Sequence, residues 1–121
     1  MPAQIVFVHS DDSFRTAAVA ALEGEGYTVA WYPDALAAME ALDAAQRVEL
    51  LITRVRFPEG KSNGVALTQM VKSRKPSIRV IFTAHPDMQE YVEDLGTILT
   101  APVAIPDLIA AVRKEMAVRQ K

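Results

Sequence analysis

The sequence predicts an α/β domain in which a five-stranded parallel sheet lies between two layers of helices. Five short, β-rich apolar runs alternate along the chain with five segments of helical periodicity. The first run, Ile5–Val8, is apolar at every position, which is typical of a parallel strand buried on both faces. Because crossovers between parallel strands are right-handed, we expect a three-layer, doubly wound sheet.

The composition limits the chain to a single domain, residues 1–121, and removes several classes of function. Half of the residues are hydrophobic (50%), which suffices for one core without disulfides or a structural metal. The absence of cysteine excludes thiol catalysis and cysteine-ligated metals. A net charge of -2 does not indicate a strongly positive surface for binding nucleic acid or an anionic membrane. The first apolar run is too short for a signal-peptide core, so we expect a cytoplasmic protein.

The first two strand and helix pairs occupy residues 4–44. Strand one is predicted at about residues 4–8 and helix one at about 13–24, with Asp12 as N-cap and Asp11 near the positive end of the helix dipole. Strand two, residues 27–31, ends before Pro33. Asp34 then caps an alanine-rich second helix of about ten residues. The apolar residues expected to face the core are Phe14, Ala17, Ala18, Ala21 and Leu22 in helix one and Leu36, Met39 and Leu42 in helix two.

The second half of the chain contains three further pairs. The predicted strands are residues 50–52, 78–82 and 97–100. A turn-rich stretch, residues 58–64, precedes the third helix, which ends before Pro76. A short fourth helix is predicted over residues 86–95, and Pro106 at a first helical position starts the last one. In such a sheet, sites lie at the carboxyl ends of the strands, here residues 9–12, 53–64, 83–87 and 100–103.

Four segments at these strand ends carry a family resemblance. They are Ile5–Arg15, Leu51–Pro58, Val80–His85 and Leu99–Val103, in matching order and spacing. With them the chain resembles the receiver domain of two-component response regulators over essentially its whole length. The resemblance implies a receiver/flavodoxin-like fold with strand order 2-1-3-4-5. It also implies an acidic pocket that takes a phosphoryl group from a histidine kinase with magnesium, and a cis bond between Ala101 and Pro102.

The pocket residues of this sequence depart from that pattern. By the resemblance, the two metal-binding acidic positions fall on His9 and Ser10, with Asp11 and Asp12 occupying the next two positions. Arg54 stands at the position of the phosphoacceptor aspartate. The degenerate phosphoacceptor pocket therefore consists of His9, Ser10, Asp11, Asp12, Arg54, Thr83 and Ala101, of which only Thr83 matches the family, and Ile98 occupies the aromatic switch position.

These departures favour a pseudo-receiver that signals through protein contacts, without aspartyl phosphorylation, metal, cofactor or enzymatic activity. We expect Arg54 to form an ion pair with Asp11 or Asp12 in place of the metal and phosphoryl group, because a guanidinium at the end of a buried strand needs acceptors. The alternative is that Arg54 extends into solvent. The expected partner is a histidine kinase, an output protein or a second copy. The contact face comprises the fourth predicted helix, the fifth strand and the last helix.

Other hypotheses use the same residues differently. The vacated pocket could sense a small anion at Arg54, or a metal ion through His9, Asp11 and His85. A third hypothesis is a conventional phosphoacceptor with a displaced carboxylate. Hydrolysis by the run from His9 to Asp12 is disfavoured because successive side chains point apart. The basic residues of the last helix complement its dipole and need no nucleic-acid ligand.

Overall fold

The computed structural model describes residues 4–44, 48–55, 64–84, 86 and 95–118, with backbone only for residues 40–44 and 118. Its five strands form one parallel sheet in the order β2-β1-β3-β4-β5, as predicted. The strands are β1 (Ile5–Val8), β2 (Val29–Tyr32), β3 (Leu50–Arg54), β4 (Arg79–Ala84) and β5 (Thr97–Thr100).

Four helices are described: α1 (Asp12–Gly24), α2 (Ala35–Ala44), α3 (Gly64–Arg74) and α4 (Ile105–Val118). The sheet separates two hydrophobic clusters. One lies between the sheet and helices α1 and α4, around Phe7 and Leu108. The other lies under α2 and α3, around Phe82 and Leu67. None of the helices in the described ranges is long and apolar enough to cross a membrane.

Most strand boundaries match the prediction within two residues. β2 begins two residues later than predicted, at Val29. The preceding residue, Thr28, exchanges hydrogen bonds with Gln4 before the strand pairing starts. β3 extends two residues further than predicted, to Arg54, and α4 begins one residue earlier, at Ile105. The fourth predicted helix lies outside the described residues except for Pro86 and Leu95.

Three predictions about the helices are wrong: one concerns the start of α1, and two concern residues expected to face the core. The N-cap of α1 is Asp11, not Asp12, because the Asp11 carboxylate accepts the backbone N–H of Phe14 at 3.1 Å. Ala17 is exposed, whereas Arg15, which the prediction did not assign to the core, is buried. Leu36 is also exposed, because the residues of α2 that are buried in the core are Ala35 and Ala38.

Candidate functional site

The strand register brings most of the predicted pocket residues to one edge of the sheet. β1 pairs with β3 so that Val8 lies beside Thr53, and β3 pairs with β4 so that Arg54 lies beside Thr83. His9 and Ser10 directly follow β1, the strand that lies beside β3. These residues therefore share the carboxyl edge of the strands, where parallel α/β sheets place their sites.

Arg54 contacts the β1 side of this edge through Ser10. Its Nη1 donates a hydrogen bond to the Ser10 hydroxyl oxygen at 2.6 Å. The predicted ion pair with Asp11 or Asp12 is wrong, since neither carboxylate lies within ion-pairing distance of Arg54 in the described structure. A guanidinium that is only partly buried keeps contact with water, so a hydroxyl partner is sufficient for it.

The two aspartates are held by helix α1. Asp11 caps the first turn, and its backbone carbonyl also accepts from the N–H of Arg15 at 2.9 Å. Asp12 forms an ion pair with Arg15, three residues further along the helix. Both carboxylates therefore have partners that draw them toward the helix and away from Arg54.

His9 is a partly buried ring in aromatic surroundings. Its ring centroid lies 4.8 Å from that of Phe14 and 6.1 Å from that of Phe7. Its Nδ1 accepts the backbone N–H of Asp11 at 3.2 Å. Burial first, and then the positive charges of Arg54 and Arg15, lower the pKa of His9 from 6.5 to about 4, against an opposing effect of Asp11. The imidazole is therefore neutral at pH 7.

Arg15 is a site residue that the sequence prediction missed. It is buried, at 7% exposure, and its Nη1 donates to the carbonyl oxygen of His9 at 2.8 Å. Its guanidinium carbon lies 4.2 Å from the ring centroid of Trp31, a side chain that is half exposed. The sequence signals were the spacing of three between Asp12 and Arg15 and the tryptophan in the neighbouring strand. Arg15 fixes the path of the chain between β1 and α1.

The remaining predicted pocket residues contribute no charge. Thr83 is buried at 5% exposure beside Arg54 in the sheet, and its carbonyl accepts the N–H of Val55 at 3.4 Å. Ala101 donates its N–H to the carbonyl of Ala84 at 2.8 Å, and the bond from Ala101 to Pro102 is cis, as the resemblance implied. Ile98, at the switch position, is partly buried against the cluster under α2 and α3.

Gly64 joins α3 to the same edge of the sheet. A Cβ at this position would lie 1.8 Å from the carbonyl oxygen of Arg54 and 3.0 Å from the Thr53 hydroxyl. The N–H of Gly64 donates to the carbonyl of Val55 at 2.9 Å. Only glycine permits this approach, so the first turn of α3 packs directly on the backbone that carries Arg54.

The described donor set does not fit a magnesium ion, which prefers several carboxylate or water oxygens. Asp11 is used as a helix cap, Asp12 pairs with Arg15, and the Ser10 hydroxyl accepts from a cation. The described residues also contain no group of three metal-ligating side chains. The zinc hypothesis includes His85, which lies outside the described residues. Among the described residues, the arrangement offers a neutral imidazole at His9 and a guanidinium at Arg54 whose Nη1 is bonded to Ser10.

Comparisons with known proteins agree with the fold. A family model, the response regulator receiver domain, matches residues 5–113. A response regulator receiver domain protein (CheY-like) from Methanospirillum hungatei JF-1 has 17% identity and a TM-score of 0.86, with 99% of this chain and 98% of that chain covered. The receiver domain of the hybrid histidine kinase CckA has 27% identity and a TM-score of 0.77, with 93% and 97% covered.

A third solved structure carries a different functional name. The adenylate cyclase from Rhodopirellula baltica has 14% identity and a TM-score of 0.87, with 98% of this chain and 90% of that chain covered. At this identity the likeness concerns the fold. No curated protein matches the sequence.

Proposed function

The chain belongs to the response regulator receiver domain family, and from that premise we propose that it is a pseudo-receiver, a signalling module that acts without aspartyl phosphorylation. The observation that carries the proposal is the bond from Arg54 to Ser10 across the ends of β3 and β1. A cation stands where the family resemblance calls for the phosphoacceptor carboxylate. A guanidinium has no nucleophilic oxygen and repels a divalent cation.

The surrounding residues support the same proposal. A phosphoryl site works mainly by charge compensation, with metal ions and a lysine around the transferred group. Here the resemblance assigns neutral groups, His9 and Ala101, to a metal-binding position and to the lysine position. Arg15 ties the carbonyl of His9 to α1, so the connection between β1 and α1 is held without a metal ion. We infer that the pocket maintains one conformation permanently.

The proposed mode of action is protein binding by the face that comprises the fourth predicted helix, β5 and α4. β5 is an edge strand, in which three residues are partly buried and Thr100 is exposed. Glu115 of α4 accepts hydrogen bonds from Arg79 and Thr97, at the starts of β4 and β5, each at 3.0 Å. These bonds join the helix to both strands, which favours a fixed docking face over a switching one. The proposed partner is a histidine kinase, an output protein or a second copy of the chain.

A phosphorylation assay tests the central proposal. The protein is incubated with magnesium and acetyl phosphate, and its intact mass is measured beside a receiver that has the aspartate. We expect no phosphoryl adduct on this chain and no change in melting temperature with magnesium alone. An adduct mapped to Asp11 or Asp12 would establish the displaced-carboxylate hypothesis instead.

A second assay tests the docking face. Ala110 is exposed on α4, and Ala17 is exposed on α1, outside the proposed face. If the partner is a second copy, sedimentation velocity should show self-association that Ala110→Glu abolishes and Ala17→Glu leaves intact. If the partner is a kinase or output protein, the same pair of variants should separate in a titration with that protein. Equal effects of the two variants would place the contact elsewhere.

A further inference from the structure

A cavity of about 610 Å³ lies at the amino-terminal edge of β4 and β5, the opposite edge of the sheet from Arg54. The end of α3 and the turn after it form one wall, and the starts of the two strands and one residue of α4 form the rest. The cavity is open to solvent, and its volume is within the range of small-molecule sites. The cavity is unrelated to the pocket on which the proposed function depends.

The cavity contains a guanidinium whose orientation is fixed by a buried carboxylate. Glu115 is 6% exposed, and its two carboxylate oxygens accept from Arg79 Nε and from the Thr97 hydroxyl, each at 3.0 Å. Only Nε of Arg79 is used in this way. Within the described ranges its two terminal nitrogens have no partner, and the side chain is 38% exposed. Four N–H donors therefore remain available at a preset position.

The other lining residues combine positive charge with an apolar surface. Lys72, in the last turn of α3, has no ion-pair partner in the part of the chain that the structure describes. Ile78 and Leu95 contribute apolar walls, and Ser77 contributes a hydroxyl. Among the described lining residues, Arg79 and Lys72 carry two positive charges against the one carboxylate of Glu115, so the net charge of these residues is positive. A planar, oriented guanidinium is suited to the two oxygens of a carboxylate or phosphate.

We propose that this cavity binds a small organic oxyanion, with its charged group on Arg79 and Lys72 and a compact apolar body against Ile78 and Leu95. Neither the family resemblance nor the proposed function assigns a small-molecule site to this edge. A bound ligand would contact the starts of β4 and β5 and thereby strengthen their junction with α4. The carboxylate and phosphate forms share this chemistry, and the test separates them.

Four probes test the proposal on the full chain by NMR and thermal melting. Phenyl phosphate and benzoate carry the oxyanion on an aromatic body, inorganic phosphate carries only the charge, and benzyl alcohol carries only the apolar body. We expect one of the two aromatic anions to shift the amide resonances of Ser77, Gly96 and Thr97 and to raise the melting temperature. The proposal is overturned if neither anion shifts these amides, or if benzyl alcohol shifts them equally.

Variants distinguish binding in the cavity from general electrostatic attraction between the anion and the protein. Lys72→Ala should lower the affinity for the anion about fivefold, as expected for the loss of one partly exposed charge. Lys114→Ala is the matched control, because Lys114 is exposed on α4 outside the cavity, and it should leave the affinity unchanged. Arg79→Gln should abolish binding. If that variant does not fold, the Lys72 and Lys114 comparison decides, and equal affinities in these two variants overturn the proposal.

Discussion

Acidification should destabilise the protein through His9 in particular. The ring is packed near Phe7 and Phe14, its Nδ1 is occupied by the N–H of Asp11, and burial together with nearby guanidinium groups lowers its pKa to about 4. In the unfolded chain the same imidazole has its ordinary pKa of 6.5. As the pH falls, the unfolded state therefore binds the proton first. The contribution of His9 to stability is complete above pH 6.5 and is lost progressively down to about pH 4.

The size of the effect follows from the two pKa values. The difference between 6.5 and about 4 corresponds to at most about 3–4 kcal/mol, at about 1.36 kcal/mol for each unit of pKa difference. Because His9 is only partly buried, solvent screening reduces this figure, and we expect about 1–2 kcal/mol. For a domain of this length, that loss corresponds to a decrease in melting temperature of about 4–8 °C.

The assay compares urea denaturation at several pH values between 7 and 4.5 in two variants. The chain has a second histidine, His85, so both variants carry His85→Gln. The test variant also carries His9→Asn, whose side-chain oxygen can accept the N–H of Asp11 but does not titrate. The free energy of unfolding should fall by about 1–2 kcal/mol less in the His9→Asn variant over this pH range. Effects of the carboxylates are common to both variants and cancel.

Two results would refute this reasoning. One is an identical dependence of unfolding free energy on pH in both variants. The other is an NMR titration in which the His9 ring of the folded protein protonates near pH 6.5, which would mean that its packing and the neighbouring charges do not affect it.

Three further predictions concern contacts between elements. Gly64→Ala places a Cβ 1.8 Å from the carbonyl oxygen of Arg54 and should lower the free energy of unfolding by about 3 kcal/mol or more in urea denaturation. Gly24→Ala, with nothing within 4 Å of the added Cβ, should change it by less than about 1 kcal/mol, and similar losses in the two variants would contradict the packing argument. A double-mutant cycle of Arg54→Ala and Ser10→Ala should give a coupling energy of about 1 kcal/mol, whereas zero coupling would mean that their bond contributes nothing. Glu115→Ala should lower the free energy of unfolding by about 2 kcal/mol, which is less than for a fully buried pair because the partner guanidinium of Arg79 is partly exposed. An unchanged melting temperature in this variant would rule out a structural role for Glu115.

The sheet was predictable because each strand is indicated by a short, continuous segment of the sequence. The central strands contain compact apolar runs such as Ile5–Val8, and parallel strands separated by helices have few allowed arrangements. Arg54 and Thr83 lie side by side because Arg54 is the last residue of β3 and Thr83 is the last but one of the neighbouring β4. Residues at strand ends are therefore located well by sequence alone.

The partners of charged side chains were not predictable in the same way. Asp11 and Asp12 are adjacent, and a shift of one residue at the helix start decides which carboxylate caps the helix and which meets Arg15. That choice in turn leaves Arg54 with Ser10. Arg15 itself was missed because arginine is rarely buried, and because its guanidinium lies against Trp31, which is distant in sequence.

The contact between Arg15 and Trp31 also makes the protein easy to observe. Trp31 is the only tryptophan of the chain, and its half-exposed ring lies against the guanidinium that holds the His9 carbonyl. Its fluorescence therefore comes from one known location, close to the connection between β1 and α1. A ligand or partner that disturbs this connection will alter the emission directly, whereas one bound at the opposite edge of the sheet will leave the spectrum unchanged. Unlabelled protein is thus sufficient to tell binding at the two edges apart.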